Sequence, residues 1–320
     1  MIAGKRPRFQ ITNLPNFLEK KVSVRHIEIT DREFEGQRID NFLLRLTGRA
    51  PRGFVYRILR SGEVRVNGGR VSPSYRLTLG DSVRVPPIKL KEKIPLKISD
   101  ELAHRLENSI LLEDKDFVVI DKPAGLAVHG GSSVAFGVIE ALREISGISK
   151  LELAHRIDRD TSGCLIMCKR RTVLLGIQNA FRERKVKKIY DLYVHGDWSR
   201  KKRRVALPLL RYLTQSGERR VKVDADGKPS LTDFEVEAKK EKATHLRASL
   251  VTGRTHQIRV HTQALGHPVL GDTKYAAQRK FEQTRLCLHS SRLKIRFGDR
   301  DLDVVAPLPK EMRDIWSNIK

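Results

Sequence analysis

The stretch His155-Arg156-Ile157-Asp158-Arg159-Asp160-Thr161-Ser162-Gly163 places two carboxylates among two arginines. Leu151 to Ala154 leads in, and Cys164-Leu165-Ile166-Met167-Cys168 leads out as a short apolar run, so the segment reads as a loop flanked by strands. A cation beside such a loop keeps a carboxylate ionised and aimed. An aimed carboxylate can attack carbon or remove a proton. Asp158 and Asp160 are rivals for that work. Asp160 lies beside Thr161-Ser162-Gly163, where a turn-stabilising role is expected of it. Thr161 and Ser162 are expected as turn hydrogen-bonders, and His155 and His256 as structural donors.

Other chemistries lack their motifs. There is no GxxxxGK[ST], no GxGxxG after a strand and no glycine loop of the S-adenosylmethionine type, which argues against ATP, dinucleotide and methyl-transfer chemistry. No HExxH occurs, and His256 and His261, five apart, do not share a helix face. Cys164, Cys168 and Cys287 cannot form a disulfide framework, which suits a reducing cytoplasm; Cys164 and Cys168 fit no zinc motif and are expected as buried hydrophobes.

The chain has 320 residues with 63 Lys+Arg against 38 Asp+Glu, a net charge of +25, so its partner is expected to be a polyanion. No apolar run approaches the roughly 18 residues of a spanning helix, and no basic amphipathic helix or lipidation motif suggests a membrane surface. The basic residues are spread along the whole length, which favours nucleic acid.

Two domains are expected. Residues 1–25 read as a basic, loosely ordered arm, with Pro7 and Pro15 breaking any periodicity. Residues 26–98 read as a compact unit of two short helices and a hairpin. Ile39, Phe42, Leu43 and Leu46 fall at helical spacing, as do Phe54, Val55, Ile58 and Leu59. Asn67-Gly68-Gly69 supplies the positive-φ residues of a hairpin turn. Lysines 89, 91, 93 and 97 mark 88–106 as an irregular connector, with 99–106 as the linker proper. Residues 107–320 read as an α+β domain in which strands outnumber helices around a mixed, largely antiparallel sheet, with helices near Val138–Ile145 and Thr172–Lys185.

At this point two resemblances emerge. Gly36-Gln37-Arg38-Ile39-Asp40-Asn41-Phe42-Leu43, then Tyr56 through Gly68, then Gly80-Asp81, resemble the S4 (αL-type) RNA-binding domain across about 36–98. Arg49, Arg52, Arg57 and Arg60 are its expected RNA contacts. Downstream, Lys122-Pro123-Ala124-Gly125-Leu126, His155 through Gly163, Lys187-Lys188-Ile189-Tyr190 and Thr252 through His261 occur in order and resemble the RluA family of pseudouridine synthases over nearly all of 107–320. Ile157 stands where that family usually has Leu, a near-isosteric change. Residues 271–284 follow the family less clearly. Val128-His129-Gly130-Gly131-Ser132, Phe136 through Glu140, Gln215 through Arg219 and Gly227 through Ser230 are similar to a branch acting on the large ribosomal subunit.

The resemblance implies isomerisation of uridine to pseudouridine in 23S ribosomal RNA, free or in an assembling large subunit, by a monomer. No redox cofactor, energy source or metal is required. It implies that Asp158 is the essential carboxylate, as nucleophile or as base; that Arg259 is its cationic partner; that Tyr190 is the aromatic over the target base; and that Arg156 fills the space left by the extruded nucleotide. From other classes, a non-catalytic RNA-binding or ribosome-assembly factor and an RNA hydrolase using His256 and His261 stand as alternatives.

Overall fold

The computed structural model describes residues 24–47, 50, 52–88, 96–131, 134–199, 201–276 and 285–319. The basic arm up to residue 23, Arg49 and lysines 89, 91 and 93 lie outside the described residues. The chain divides into two compact units, Met1–Pro95 and Leu96–Lys320.

The first unit runs β1 (Arg25–Glu28), α1 (Ile39–Leu46), α2 (Arg52–Arg60), β2 (Arg65–Val66) and β3 (Ser82–Val85), with the strands ordered β1-β3-β2. Ile39, Phe42 and Leu43 of α1 and Val55, Ile58 and Leu59 of α2 turn inward and close one apolar core with Val64, Val66, Leu77 and Val83. The hairpin turn is as the sequence indicates: Asn67 and Gly68 have φ of 51° and 80°. Asn67 also accepts from the Ser82 amide (2.8 Å) and donates to Asp81 (2.9 Å), which ties the turn to β3. Arg52, Arg57 and Arg60 of α2 are exposed.

The second unit runs α3 (Asp100–Glu107), β4 (Ile110–Glu113), β5 (Phe117–Lys122), α4 (Val138–Ser146), β6 (Glu152–Leu153), β7 (Ser162–Cys168), α5 (Arg171–Arg182), β8 (Val186–His195), β9 (Lys202–Ala206), β10 (Leu209–Leu213), β11 (Arg219–Val223), β12 (Leu231–Lys239), β13 (Ala243–Leu250), α6 (Gln257–Ala264), β14 (Leu288–Phe297), β15 (Arg300–Val305) and α7 (Lys310–Asn318). Its ten-stranded sheet follows the order β4-β5-β7-β14-β8-β13-β12-β9, with β15 on β14 and β6 on β7. Every pairing is antiparallel except β7 with β14. The domain is therefore α+β, with a mixed and largely antiparallel sheet. Residues 99–106, read from the sequence as a linker, instead hold the cap of α3 and most of that helix. The Ser99 hydroxyl caps α3 by accepting from the Leu102 amide (3.3 Å), and Leu106 packs with Leu142 of α4 in the second unit. The lysine-rich composition upstream hid that cap.

The continuous apolar run of β7 follows from burial on both faces. Cys164, Ile166 and Cys168 enter one core with Leu174, Ile177 and Ala180 of α5, while Leu165 and Met167 enter another with Val138, Ile139 and Leu142 of α4. At the head of β7, Gly163 (φ 111°) lies so close to β14 that a Cβ would sit 2.2 Å from the Ser290 carbonyl oxygen. Only glycine permits the parallel register Ser162↔His289 and Gly163↔Ser290. That register is locked by a chain of hydrogen bonds. Arg285 donates to the Ser162 hydroxyl (2.7 Å), which donates to His289 Nδ1 (2.9 Å), whose Nε2 then donates to the Ala306 carbonyl (3.2 Å). Ser162 is thus a buried structural link.

Candidate active site

The loop 154–161 leaves β6 and enters β7. Two buried contacts hold it. Lys122, wholly buried at the end of β5, donates to the carbonyls of Pro123 (2.8 Å), Leu126 (2.8 Å) and Arg159 (2.9 Å). Burial pushes this amine down to about 7, yet three carbonyl acceptors match the three N–H bonds of an ammonium and no fewer. The Gly125 amide also donates to the Arg159 carbonyl (3.0 Å), so the turn 123–126 and the loop share one anchor. On the other side His155 Nε2 accepts from the Ile166 amide (3.1 Å), with its ring against Phe181 at 5.1 Å. Burial holds this imidazole down at about 4, so it is neutral. His155 thus accepts at Nε2 and, being neutral, keeps its proton on Nδ1, so the ring serves the loop as both acceptor and donor.

So held, the loop forms one wall of a cleft of ≈ 300 Å³, lined also by β8, β14, the end of β13 and the start of α6. Asp158, Tyr190, Arg259 and Arg156 all line it. The four residues singled out in the second unit are thus brought together from three separate elements. Arg52, Arg57 and Arg60 belong to the other unit, and Arg49 lies outside the described residues. Among the described residues Asp158 is the only carboxylate of the lining, beside Arg156, Lys188, Arg254 and Arg259. The cleft is at the lower end of ligand-pocket sizes; a base fits and a double helix does not.

The partner of Asp158 differs from expectation. Arg259, nearly buried, grips Asp272 with both prongs (Nε to Oδ2 2.7 Å, Nη2 to Oδ1 2.7 Å), and Asp272 also accepts from the amides of Lys274 and Tyr275 (both 3.0 Å). Burial opposes the Arg259 charge, but the hydrogen bonds and charge of Asp272, with a smaller contribution from Asp158, raise its pKa. Arg259 therefore acts on Asp158 through its field and not through a fork. Among the described residues the nearest basic group is His256, with Nε2 at 3.7 Å from Asp158 Oδ2. Sequence reasoning treats His256 as a structural donor, and it misses Asp272 because 271–284 follows the family's pattern less clearly. The alternation of apolar residues in α6 gives no sign of a partner beyond the helix.

Tyr190 on β8 is buried, and burial, followed by the nearby Asp158 charge, pushes its phenol pKa upward against a hydrogen bond from Ser290. It stays a neutral O–H. Arg156 is exposed at the edge of the cleft. Asp160 pairs with Arg159 (3.1 Å). His261 is buried between Ser230 (2.8 Å) and Thr232 (3.0 Å), and its ring does not line the cleft. Cys164, Cys168 and Cys287 are buried and free, and burial pushes each thiol up to about 12. Among the described residues no three His, Cys, Asp or Glu side chains gather as a metal site, and no helix is long and apolar enough to cross a membrane.

Comparison with known proteins identifies both units. The RNA pseudouridylate synthase family model matches residues 116–264 and the S4 domain model residues 37–83. A Pasteurella multocida protein named ribosomal large subunit pseudouridine synthase C is 46% identical over 311 residues, 93% of this chain and 94% of that one. The chain belongs to the RNA pseudouridylate synthase family. The Escherichia coli synthase of the same name is 46% identical over 284 residues, 85% of this synthase and 88% of that one. Among solved structures, human RNA pseudouridylate synthase domain containing 4 superposes with a TM-score of 0.56 at 25% identity, covering 67% of this chain and 93% of that one. Human RNA pseudouridylate synthase domain containing 1 gives 0.55 at 27%, covering 62% and 82%. The synthase thus carries an S4 domain ahead of its catalytic unit.

Proposed function

We propose that this synthase isomerises specific uridines of large-subunit (23S) ribosomal RNA in the cytoplasm, with Asp158 as the essential carboxylate. The observation that carries the reading is the convergence of Asp158, the sole carboxylate among the described residues of a basic cleft, with Tyr190 and Arg259. The relatives named for the large subunit, matched over most of their length, supply the substrate class.

The chemistry conserves atoms. The C1′–N1 bond breaks, the base turns, C1′ joins C5, the C5 hydrogen leaves as a proton and N1 gains one. Asp158 either attacks or removes a proton; both roles use the carboxylate. Tyr190, neutral and fixed in β8, offers a ring for the base to stack on and an O–H near the C5 proton. Extruding the nucleotide costs a few kcal/mol, and Arg156 at the cleft edge can fill the vacated stack. The surrounding cations draw the RNA backbone in. A hydrolase built on His256 and His261 is disfavoured, since His261 is buried and already hydrogen-bonded at both ring nitrogens.

Carbodiimide-based pseudouridine mapping of rRNA from a strain lacking this chain tests the reading. Loss of defined large-subunit sites, restored by the wild-type chain and not by Asp158→Asn, is the expected result. An unchanged map, or restoration by Asp158→Asn, would sink it.

A further inference from the structure

His256 sits immediately before α6 with φ 53° and ψ 20°, a left-handed conformation that residues with a Cβ rarely adopt. Backbone held in such a region tends to mark a site where the surroundings impose it. Here the imposed geometry brings the ring between two partners. Nδ1 lies 2.7 Å from the Tyr275 hydroxyl, and Nε2 faces Asp158 Oδ2 at 3.7 Å. The Tyr275 oxygen also takes the Val221 amide N–H (3.1 Å). An amide can only donate, so the phenol oxygen is the acceptor there and its own hydrogen is free for Nδ1. The reverse tautomer would point the bare Nε2 lone pair at a carboxylate. The neutral ring therefore carries its proton on Nε2, toward Asp158.

We propose that His256 is a positioning residue for Asp158: its Nε2–H orients the carboxylate in the cleft, and Tyr275 selects the tautomer that does so. The proposal rests on Asp158 being the essential group. It gives a purpose to the Tyr275 hydroxyl, which no motif predicts. The arrangement parallels metal and triad sites in which one ring nitrogen is tied by an outer partner so that the other works. The charged and titratable groups around the ring are Asp158 from the loop, Arg259 from α6, and Asp272, Lys274 and Tyr275 from the turn after α6. Burial lowers the His256 pKa, and Asp158 opposes that without reversing it. The ring is thus neutral in its working state. Below its pKa it becomes an imidazolium that pairs with Asp158 and withholds it, so activity falls with acid.

The test uses the full-length synthase and a large-subunit rRNA transcript, with kcat, KM and the pH profile measured for His256→Phe, His256→Gln and Tyr275→Phe. His256→Phe keeps the ring shape without the donor, and kcat is expected to fall roughly 10- to 100-fold with KM little changed, the size seen when outer partners are removed. His256→Gln, whose amide reaches the Nε2 position, is expected to recover part of that loss. Tyr275→Phe frees Nδ1 to take a proton, so the acid limb of kcat is expected to move to higher pH. Wild-type kcat in His256→Phe overturns the proposal. So does a Tyr275→Phe profile superimposable on wild type, which decides the matter even if His256→Phe fails to fold. Asp158→Asn separates the two failures. If it is active, the reading of the site falls; if it is inactive while His256→Phe is fully active, only the positioning role falls.

Discussion

The surface of α2 and the wall of the candidate cleft use the same side chain in opposite ways. On α2, Arg52, Arg57 and Arg60 are exposed, and their contacts are weak: Arg57 to Glu63 at 3.4 Å, Arg60 to the Tyr56 carbonyl at 3.3 Å. In the cleft, Arg259 is buried and held by two 2.7 Å bonds to a carboxylate that is itself fixed by two amides. An exposed arginine keeps its rotamer freedom and contributes charge to whatever binds. A buried, bidentate arginine has given up that freedom before the substrate arrives, and its field acts in a low-dielectric site. The first arrangement suits affinity for a polyanion. The second suits chemistry at one atom.

The largest effect expected from this contrast is at Asp158. Asp158→Asn keeps the shape of the cleft and removes its only carboxylate among the described residues, so, if Asp158 is the essential group proposed above, turnover should fall more than roughly 10³-fold. RNA affinity should hold, because the cations that attract RNA remain. Single-turnover assays and filter binding check both, and parallel loss of binding would dissolve the distinction between cleft and surface.

Next in size is the buried pair. Arg259→Met leaves Asp272 as a buried charge whose remaining partners among the described residues are two amides, and breaking such a pair costs about 3–5 kcal/mol. For a unit of this length the melting temperature should drop by roughly 10 °C. Urea denaturation of the variant measures the free-energy loss, and a thermal melt the shift. The same substitution on α2, such as Arg60→Met, should leave the melting temperature alone.

The anchor under the loop should rank close behind. Lys122→Met strips an N–H from three carbonyls at once, of which Arg159's alone keeps another donor, the Gly125 amide. Buried acceptors left unpaired cost about 1–3 kcal/mol each, so a loss of about 3 kcal/mol is expected, with poorer turnover from a loosened loop. Asp121, next in the chain, provides the opposite sign. Burial raises its pKa to about 6, with Glu311 adding to the rise and Arg285 opposing it. The unfolded chain releases this proton near 3.8, so stability falls as pH rises between those two values and stays lower above 6. Asp121→Asn should therefore stabilise the synthase at pH 7.5 by about 1–2 kcal/mol, with no gain at pH 3. Melting curves at the two pH values decide it; equal gains at both would contradict the buried-charge explanation.

Which of these features the sequence revealed depends on how local their causes are. Asn67-Gly68 makes a turn through its own backbone preferences, and β7 shows its double burial as an unbroken apolar run. The motif blocks around Lys122, Asp158, Tyr190 and Arg259 could be read because each is contiguous. The β10–β11 hairpin was invisible: Arg211, Arg219, Arg220 and Lys222 dominate its strands, and only Leu209 and Val221 are buried, against Val260. The helix α7 was equally hidden in a charged tail. The partners of the site residues were hardest to see. Asp272 meets Arg259, and Tyr275 meets His256, only because the chain turns back after α6, and no periodicity encodes a contact between a helix and the loop beyond it. Lys122 gave no hint of complete burial, since a lysine in a turn is usually solvated.

The smallest effect belongs to the exposed side of the comparison, and it sharpens what binding by the S4 unit means. Replacing Arg52, Arg57 and Arg60 together with alanine removes three cations while leaving the apolar core of the unit intact. If each meets a phosphate, the slope of log affinity against log salt should become shallower by about 2–3, near 0.7–0.9 for each phosphate no longer neutralised, and affinity at moderate salt should fall roughly tenfold. The kcat on saturating RNA should not change, since none of the three lines the cleft. Titrations at several salt concentrations provide the slope directly. An unchanged slope would mean that these arginines lie off the RNA path, and that the charge which attracts RNA resides in the catalytic unit.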